Sequence, residues 1–347
     1  MRRRHGIIIS AATAMFCGLA LVATPAQASA TTPNGVPLEA EATFHGRPVR
    51  DAATAQTLAD TYWTPERMRS ATPLEPLVGG EELAGEAEDR PGRVGEPRSG
   101  AEPTGPRGTV AAVPGPSASA RNLPAGAGIQ SVNPSPGVGR VFFTDVHGED
   151  YFCSASAINT AKANLVATAG HCLHPGDGSD NWYTNWVFAP NYADGPSGWG
   201  LWSARSMTST KGWVDHDILW WDYGFVTVWP RNGQRLVDVT GGEGISFNYP
   251  RSVAATLLGY PGVAPFDGKW QHYCQGTTKA AGTQRVKLVD CPLNEGTSGG
   301  PFLRAWNNSQ GYGHVNSVAS YKFSGNMYGP YFDEDVADLF DYAKAKN

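Results

Sequence analysis

Basic residues do not outnumber acidic ones in this chain: 27 Lys and Arg stand against 32 Asp and Glu among 347 residues, a formal net charge of -5. With no basic excess to neutralise phosphates, nucleic acid is excluded as an expected partner, and the mild acidity reads as solubility. No apolar run beyond Val22 is long enough to cross a bilayer. No repeat of fixed period is visible, which removes solenoids and propellers. Cysteines number five and none has the close CxxC spacing of a zinc site, so no metal and no cofactor is expected.

What is present begins with an address. Arg2, Arg3 and Arg4 precede an apolar stretch from Ile7 to Val22, followed by the small residues Ala26, Ala28, Ser29 and Ala30. The stretch is short for a membrane span and is broken by Ser10 and Thr13, so residues 1–30 read as a secretory signal peptide and the product as extracellular. Cys17 leaves with that peptide. Cys153, Cys172, Cys274 and Cys291 then remain as an even set in an oxidising compartment, and two disulfides are expected. Three pairings are open, of which Cys153 with Cys172 and Cys274 with Cys291 closes the shorter loops.

Residues 31–133 are rich in Gly, Pro, Glu and Arg and poor in aromatics. Such a stretch buries too little apolar surface to offset its ordering entropy, so it reads as a largely flexible pro-segment. One amphipathic helix is expected over residues 50–70, through Leu58, Tyr62 and Met68. Residues 134–347 have another texture. Short β-branched and aromatic runs such as RVFFT, YFCSASAI, NLVATAG and YGFVTV alternate with Gly, Pro, Asn and Asp, which predicts an all-β domain, either a sandwich or a pair of small barrels. The tail DEDVADLFDYAKAK opens on acids, closes on lysines and sets Val336, Leu339, Phe340 and Ala343 on one face, predicting a terminal helix. The tryptophans between Trp182 and Trp229 are read as packing in preference to a carbohydrate platform.

Three motifs carry chemistry: ATAGHC at 167–172, WDYGFVTV at 221–228 and GTSGGP at 296–301. A hydroxyl is a poor nucleophile at neutral pH and needs a base, for which imidazole titrates in the right range. His171 is the candidate base for Ser298, and Asp222 the carboxylate that fixes the imidazole tautomer. Gly296 can adopt backbone angles closed to other residues, so its N–H and that of Ser298 can converge on a developing oxyanion. Asp215 and Asp217 are rival acids; Asp222 is preferred because a glycine step and a short apolar strand follow it.

Taken together, in the order His, Asp, Ser, the motifs TAGHC, DYGFV and GTSGGP resemble those of the trypsin-like, or chymotrypsin-like, serine peptidases. The resemblance covers about residues 136–340 and is strongest to secreted bacterial members, including the glutamyl-endopeptidase-like branch. It implies two six-stranded antiparallel β-barrels with the triad between them, a C-terminal helix, and a Cys153–Cys172 disulfide. It also implies an acyl-enzyme at Ser298, an oxyanion hole from Gly296 and Ser298, and pocket walls from Pro292, Leu293 and Asn294 and from Ser320, Tyr321 and Lys322. Substrates are expected to be proteins or peptides, and the enzyme a monomer. The rival reading is a non-catalytic binding module on the same scaffold.

The sequence also departs from the family pattern. Thr297 stands where many animal members keep the aspartate that pairs with a new amino terminus, so activation by N-terminal insertion is not expected; the pro-segment is expected to block the cleft or assist folding. Pro292 replaces the aspartate of trypsin-like pockets, and Ala319 stands where glutamyl endopeptidases often place a histidine. Neither a basic nor an acidic preference follows from these positions.

Overall fold

The computed structural model describes residues 33–76, 92–107 and 132–346, and the leader-like residues 1–30 lie outside them. Strands dominate, as the β-branched runs require. Val138–Thr144, Asp150–Ile158, Leu165–Thr168, Gly224–Val228, Trp202–Thr210 and Thr184–Pro190 pair antiparallel in that order. The sheet closes on itself, because Trp202 and Ser203 pair with Phe188 and Val187, and Thr184–Pro190 pairs back with Val138–Thr144. Alternate residues fill the lumen: Val141 and Phe143, Cys153, Ala155 and Ala157, Trp186 and Phe188, Trp202 and Ala204, and Val226 and Val228 form one cluster. Residues of the opposite parity, including Phe142, Phe152, Leu165, Val187 and Phe225, face outward yet are also buried, in a second cluster shared with the rest of the chain.

The second barrel uses Ala254–Gly259, His272–Thr277, Arg285–Leu288, Pro301–Asn307, Tyr312–Val318 and Asn326–Pro330. Four of these pair antiparallel as one sheet and the other two as another. The sheets enclose Ala255, Leu257, Val286, Leu288, Leu293, Phe302 and Met327. They meet where Ser320 N donates to Tyr328 O (2.8 Å) and Ser317 Oγ to Pro330 O (2.8 Å), and the Cys274–Cys291 disulfide ties them on the other side. The expected terminal helix spans Glu334–Ala345, capped by Asp333 accepting from Asp335 N, and its Val336, Leu339, Phe340 and Ala343 are buried. The chain is thus an all-β molecule of two six-stranded antiparallel barrels with a C-terminal helix.

The expectation of a largely flexible pro-segment needs correction for the described part of it. Pro37–Glu41 adds an antiparallel strand to Trp202–Thr210, and Arg98–Ala101 adds one to Gly244–Phe247. The single helix expected over 50–70 is two, Ala52–Tyr62 and Pro65–Ser70. Proline disfavours helical angles in the residue before it and suits the first helical position, so Pro65 ends one helix and starts the next with Thr64 as cap. Between them Trp63 is buried and its Nε1 donates to Asn185 O at 2.7 Å. Arg93 pairs with Asp335 (2.9 Å) and Asp338 (2.5 Å), and Arg98 with Glu334 (2.8 Å). Composition signalled no core of its own, and among the described residues the segment's buried apolar side chains belong to clusters shared with the barrels. Residues 77–91 and 108–131, which belong to the same expectation, lie outside the described residues.

Candidate active site

His171 sits in the 3-10 turn Gly170–Cys172 directly after Leu165–Thr168, and the disulfide from Cys172 to Cys153 pins the turn to the neighbouring strand. A Cβ on Gly170 would lie 2.7 Å from the Trp213 ring, so only glycine lets the turn approach it. Asp222 follows the turn Leu219–Trp221 and leads into Gly224–Val228. It is fully buried. Its Oδ1 accepts from His171 N (2.8 Å), and its Oδ2 lies 2.8 Å from His171 Nδ1 and accepts from Ser320 Oγ at 2.5 Å. An ionised carboxylate only accepts, so this contact assigns the imidazole proton to Nδ1. Nε2 is left as the bare nitrogen; it is buried and has no hydrogen-bond partner among the described residues.

Ser298 lies in a turn braced from both barrels. Thr297 N donates to Asn294 O (3.1 Å), Gly300 N to Thr297 O (2.8 Å) and Gly299 N to Ala319 O (2.7 Å), while Ser298 O accepts from Ser154 N (2.7 Å). Ser154 Oγ donates to Gly296 O (2.8 Å) and accepts from Tyr260 N (2.9 Å). Thr168 Oγ1 donates to Ser154 O (2.9 Å). The Ser298 turn and the His171 turn therefore share Ser154 and its neighbour Cys153. Gly296 has φ +92°, an angle favouring glycine. The N–H groups of Gly296 and Ser298 have no acceptor among the described residues. Two unpaired backbone donors one residue apart are what a developing oxyanion needs.

The rival acids lie elsewhere: Asp215 is ion-paired with Lys211, and Asp217 sits at φ +51° beside Gly176. Of the pocket residues, Leu293 is fully buried in the second core, and Tyr321 stacks on Tyr328 at 4.8 Å while its hydroxyl takes Arg285 Nη1 at 2.8 Å. Asn294 Nδ2 donates to Val263 O at 2.6 Å, and Lys322 Nζ to Pro292 O at 3.1 Å. The hydroxyl of Ser320, a residue expected to line the pocket, donates to Asp222, a role with no local pattern to announce it. Trp186, Trp202, Trp213 and Trp221 are buried. Both cysteine pairs bond locally. Cys153, His171 and Cys172 lie close enough together to hold a metal, but the two sulfurs are bonded to each other and offer no thiolate. Among the described residues no helix is long and apolar enough to cross a membrane.

The fold and this arrangement define a class, the peptidases built on two β-barrels, and comparison with known proteins gives the family. The protease Anisep from Arthrobacter nicotinovorans is 34% identical, with 61% of this chain and 97% of that one covered at a TM-score of 0.57. The thermostable serine protease AL20 from an extremophilic microorganism is 35% identical, with 61% and 99% covered at 0.57. A Glu endopeptidase, 18% identical with 62% and 93% covered at 0.50, shares the fold. The chain belongs to the chymotrypsin-fold serine proteases. No family model matches it. A curated relative, an extracellular metalloprotease of Bacillus subtilis strain 168, is 25% identical over 177 residues, 49% of this chain; the chain spans about half (53%) of that relative's length.

Proposed function

We propose that the protein is a secreted serine endopeptidase that cleaves peptide bonds through a Ser298–His171–Asp222 triad and an acyl-enzyme, needs no cofactor, and works as a monomer. In this reading residues 1–30 are a signal peptide, residues 31–133 a pro-segment, and residues 134–347 the mature enzyme, so the chain is made as a zymogen. Ser298 Oγ attacks the substrate carbonyl as its proton passes to His171 Nε2. The imidazolium that forms is stabilised by Asp222, and the oxyanion by the N–H groups of Gly296 and Ser298. His171 then protonates the leaving amine. Water, deprotonated by the same nitrogen, hydrolyses the ester to release the acid and restore Ser298.

The observation that carries this reading is the grip of one buried carboxylate on both His171 N and His171 Nδ1, which leaves Nε2 bare and unpartnered. The protease relatives support the same reaction class. Treating the processed protein with a fluorophosphonate and mapping the adduct tests it. Attachment at Ser298, with turnover reduced on the order of a millionfold by Ser298→Ala, is expected. A folded, processed protein that takes no label would instead be the binding module.

A further inference from the structure

The segment Thr72–Pro76, sequence TPLEP, crosses from one barrel to the other. Thr72 and Pro73 pair in parallel with Tyr151 and Phe152, and Leu74 N donates to Phe152 O at 3.0 Å. Leu74 packs against the cluster that contains Cys153 and Cys172. One residue on, Glu75 Oε1 accepts from the backbone N–H of Lys322 at 2.8 Å, on the opposite barrel. Both anchor points adjoin the triad. Phe152 lies two residues before Ser154, whose N–H holds Ser298 O, and its ring is so close to Gly296 that a Cβ there would lie 2.5 Å from it. Lys322 lies two residues after Ser320, whose hydroxyl holds Asp222. The segment is thus tied at both ends to residues that adjoin the serine turn and Asp222.

We infer that Thr72–Pro76 is a built-in competitive ligand of the catalytic cleft, with the Glu75 carboxylate as its latch on Lys322. This rests on the peptidase reading and names the residues that hold the precursor silent. Two features make the segment an inhibitor and not a substrate. The Lys322 N–H is taken by a side-chain carboxylate, so the backbone of Glu75 does not form that strand bond. Thr72–Pro73 and Glu75–Pro76 are also tertiary amides without an N–H, which stiffen the peptide on both sides of Leu74. Burial pushes the Glu75 carboxyl up from its usual range, against the hydrogen bond from Lys322 and the pull of His171, a sign that the carboxylate stands within electrostatic reach of the catalytic imidazole.

The test compares fluorophosphonate labelling of Ser298 in the full precursor and in the processed protein. The precursor is expected to label at least about tenfold more slowly, and Glu75→Ala in the precursor to recover most of the difference. In trans, a blocked peptide of residues 71–76 carrying fluorescein is expected to bind processed Ser298→Ala protein, to compete with substrate on the active enzyme and to be recovered uncut, with the Glu75→Ala peptide about tenfold weaker. Equal labelling of precursor and processed protein, rapid cleavage of the peptide, or equal binding of the two peptides would overturn the inference. Peptide binding to a processed protein that never labels would overturn the peptidase reading and leave the latch standing.

Discussion

Replacing Asp222 by asparagine keeps the shape of the site and reverses one hydrogen-bond polarity. The carboxylate accepts three times, from His171 N, His171 Nδ1 and Ser320 Oγ. An amide has one accepting atom and one donating atom. If its oxygen keeps His171 N, its NH₂ faces Nδ1, which must then surrender its proton to Nε2. That places a donor toward Ser298 where an acceptor is required. The imidazolium formed during attack would also lose its counter-charge in a buried site. Comparable changes cost about 10⁴ in kcat, roughly 5.5 kcal/mol at 1.36 kcal/mol per tenfold. Because Asp222 is fully buried and cannot touch substrate, KM should move no more than a few-fold. The assay is steady-state hydrolysis of a chromogenic peptide by processed Asp222→Asn, beside Ser320→Ala. The latter removes only the third donor and should cost about tenfold. A loss under about a hundredfold for Asp222→Asn at neutral pH, or a loss borne by KM, would refute the assignment of Asp222 and the tautomer argument with it.

Three further outcomes are expected. Gly296→Ala must strain a backbone at φ +92° and place a methyl 2.5 Å from the Phe152 ring and 2.7 Å from Tyr260 O; the displaced N–H should lower kcat about 10²–10³-fold in the same assay, with the fold retained by circular dichroism. Glu243 is fully buried, and burial pushes its carboxyl from 4.5 up to about 8, against hydrogen bonds from Ser135 Oγ and Gly313 N. Since the folded value is the higher one, its contribution to stability is complete below about pH 4.5 and is lost, at roughly 1.4 kcal/mol per pH unit, as pH rises toward about 8. Urea midpoints of the Ser298→Ala protein should show that slope and Glu243→Gln should flatten it; parallel curves would sink the claim. Arg93→Ala in the precursor takes a charged partner from the fully buried Asp335, so it should cost about 3 kcal/mol in denaturant unfolding of the precursor, and a change within error would show that the pair contributes nothing.

The candidate site was legible where its members need an unusual local backbone. A histidine turn needs Gly170 beneath Trp213, and a serine turn needs Gly296 and Gly299 at φ +92° and +78°. Those demands leave glycines and a cysteine in fixed places beside the reactive residue. The barrels were legible through period-two burial, and the tail helix through its charges and apolar face. What escaped was non-local. Ser320 meets Asp222 across 98 residues, and Trp63 meets Asn185 across 122. Neither leaves a mark in its own neighbourhood. The segment 33–76 looked unable to order itself because the sum was taken over its own residues, whereas Trp63, Met68 and Ala59 are buried in a cluster that the barrels share.

The same contrast says what processing can change. The hydrogen bonds described above that shape the candidate triad and its serine turn join His171, Asp222, Ser320, Ser154, Thr168, Ala319 and the turn itself. All of these lie after residue 133. Removing residues 31–133 therefore takes none of those bonds away, and no new amino terminus has to complete them, in keeping with Thr297 at the position before the serine. Among the bonds that removal does break, those of Leu74 to Phe152 and Glu75 to Lys322 are the ones beside the candidate site. On the proposed reading, maturation acts on access to the site and not on the bonds that shape it, so active-site titration before and after processing should differ in rate and not in the number of sites.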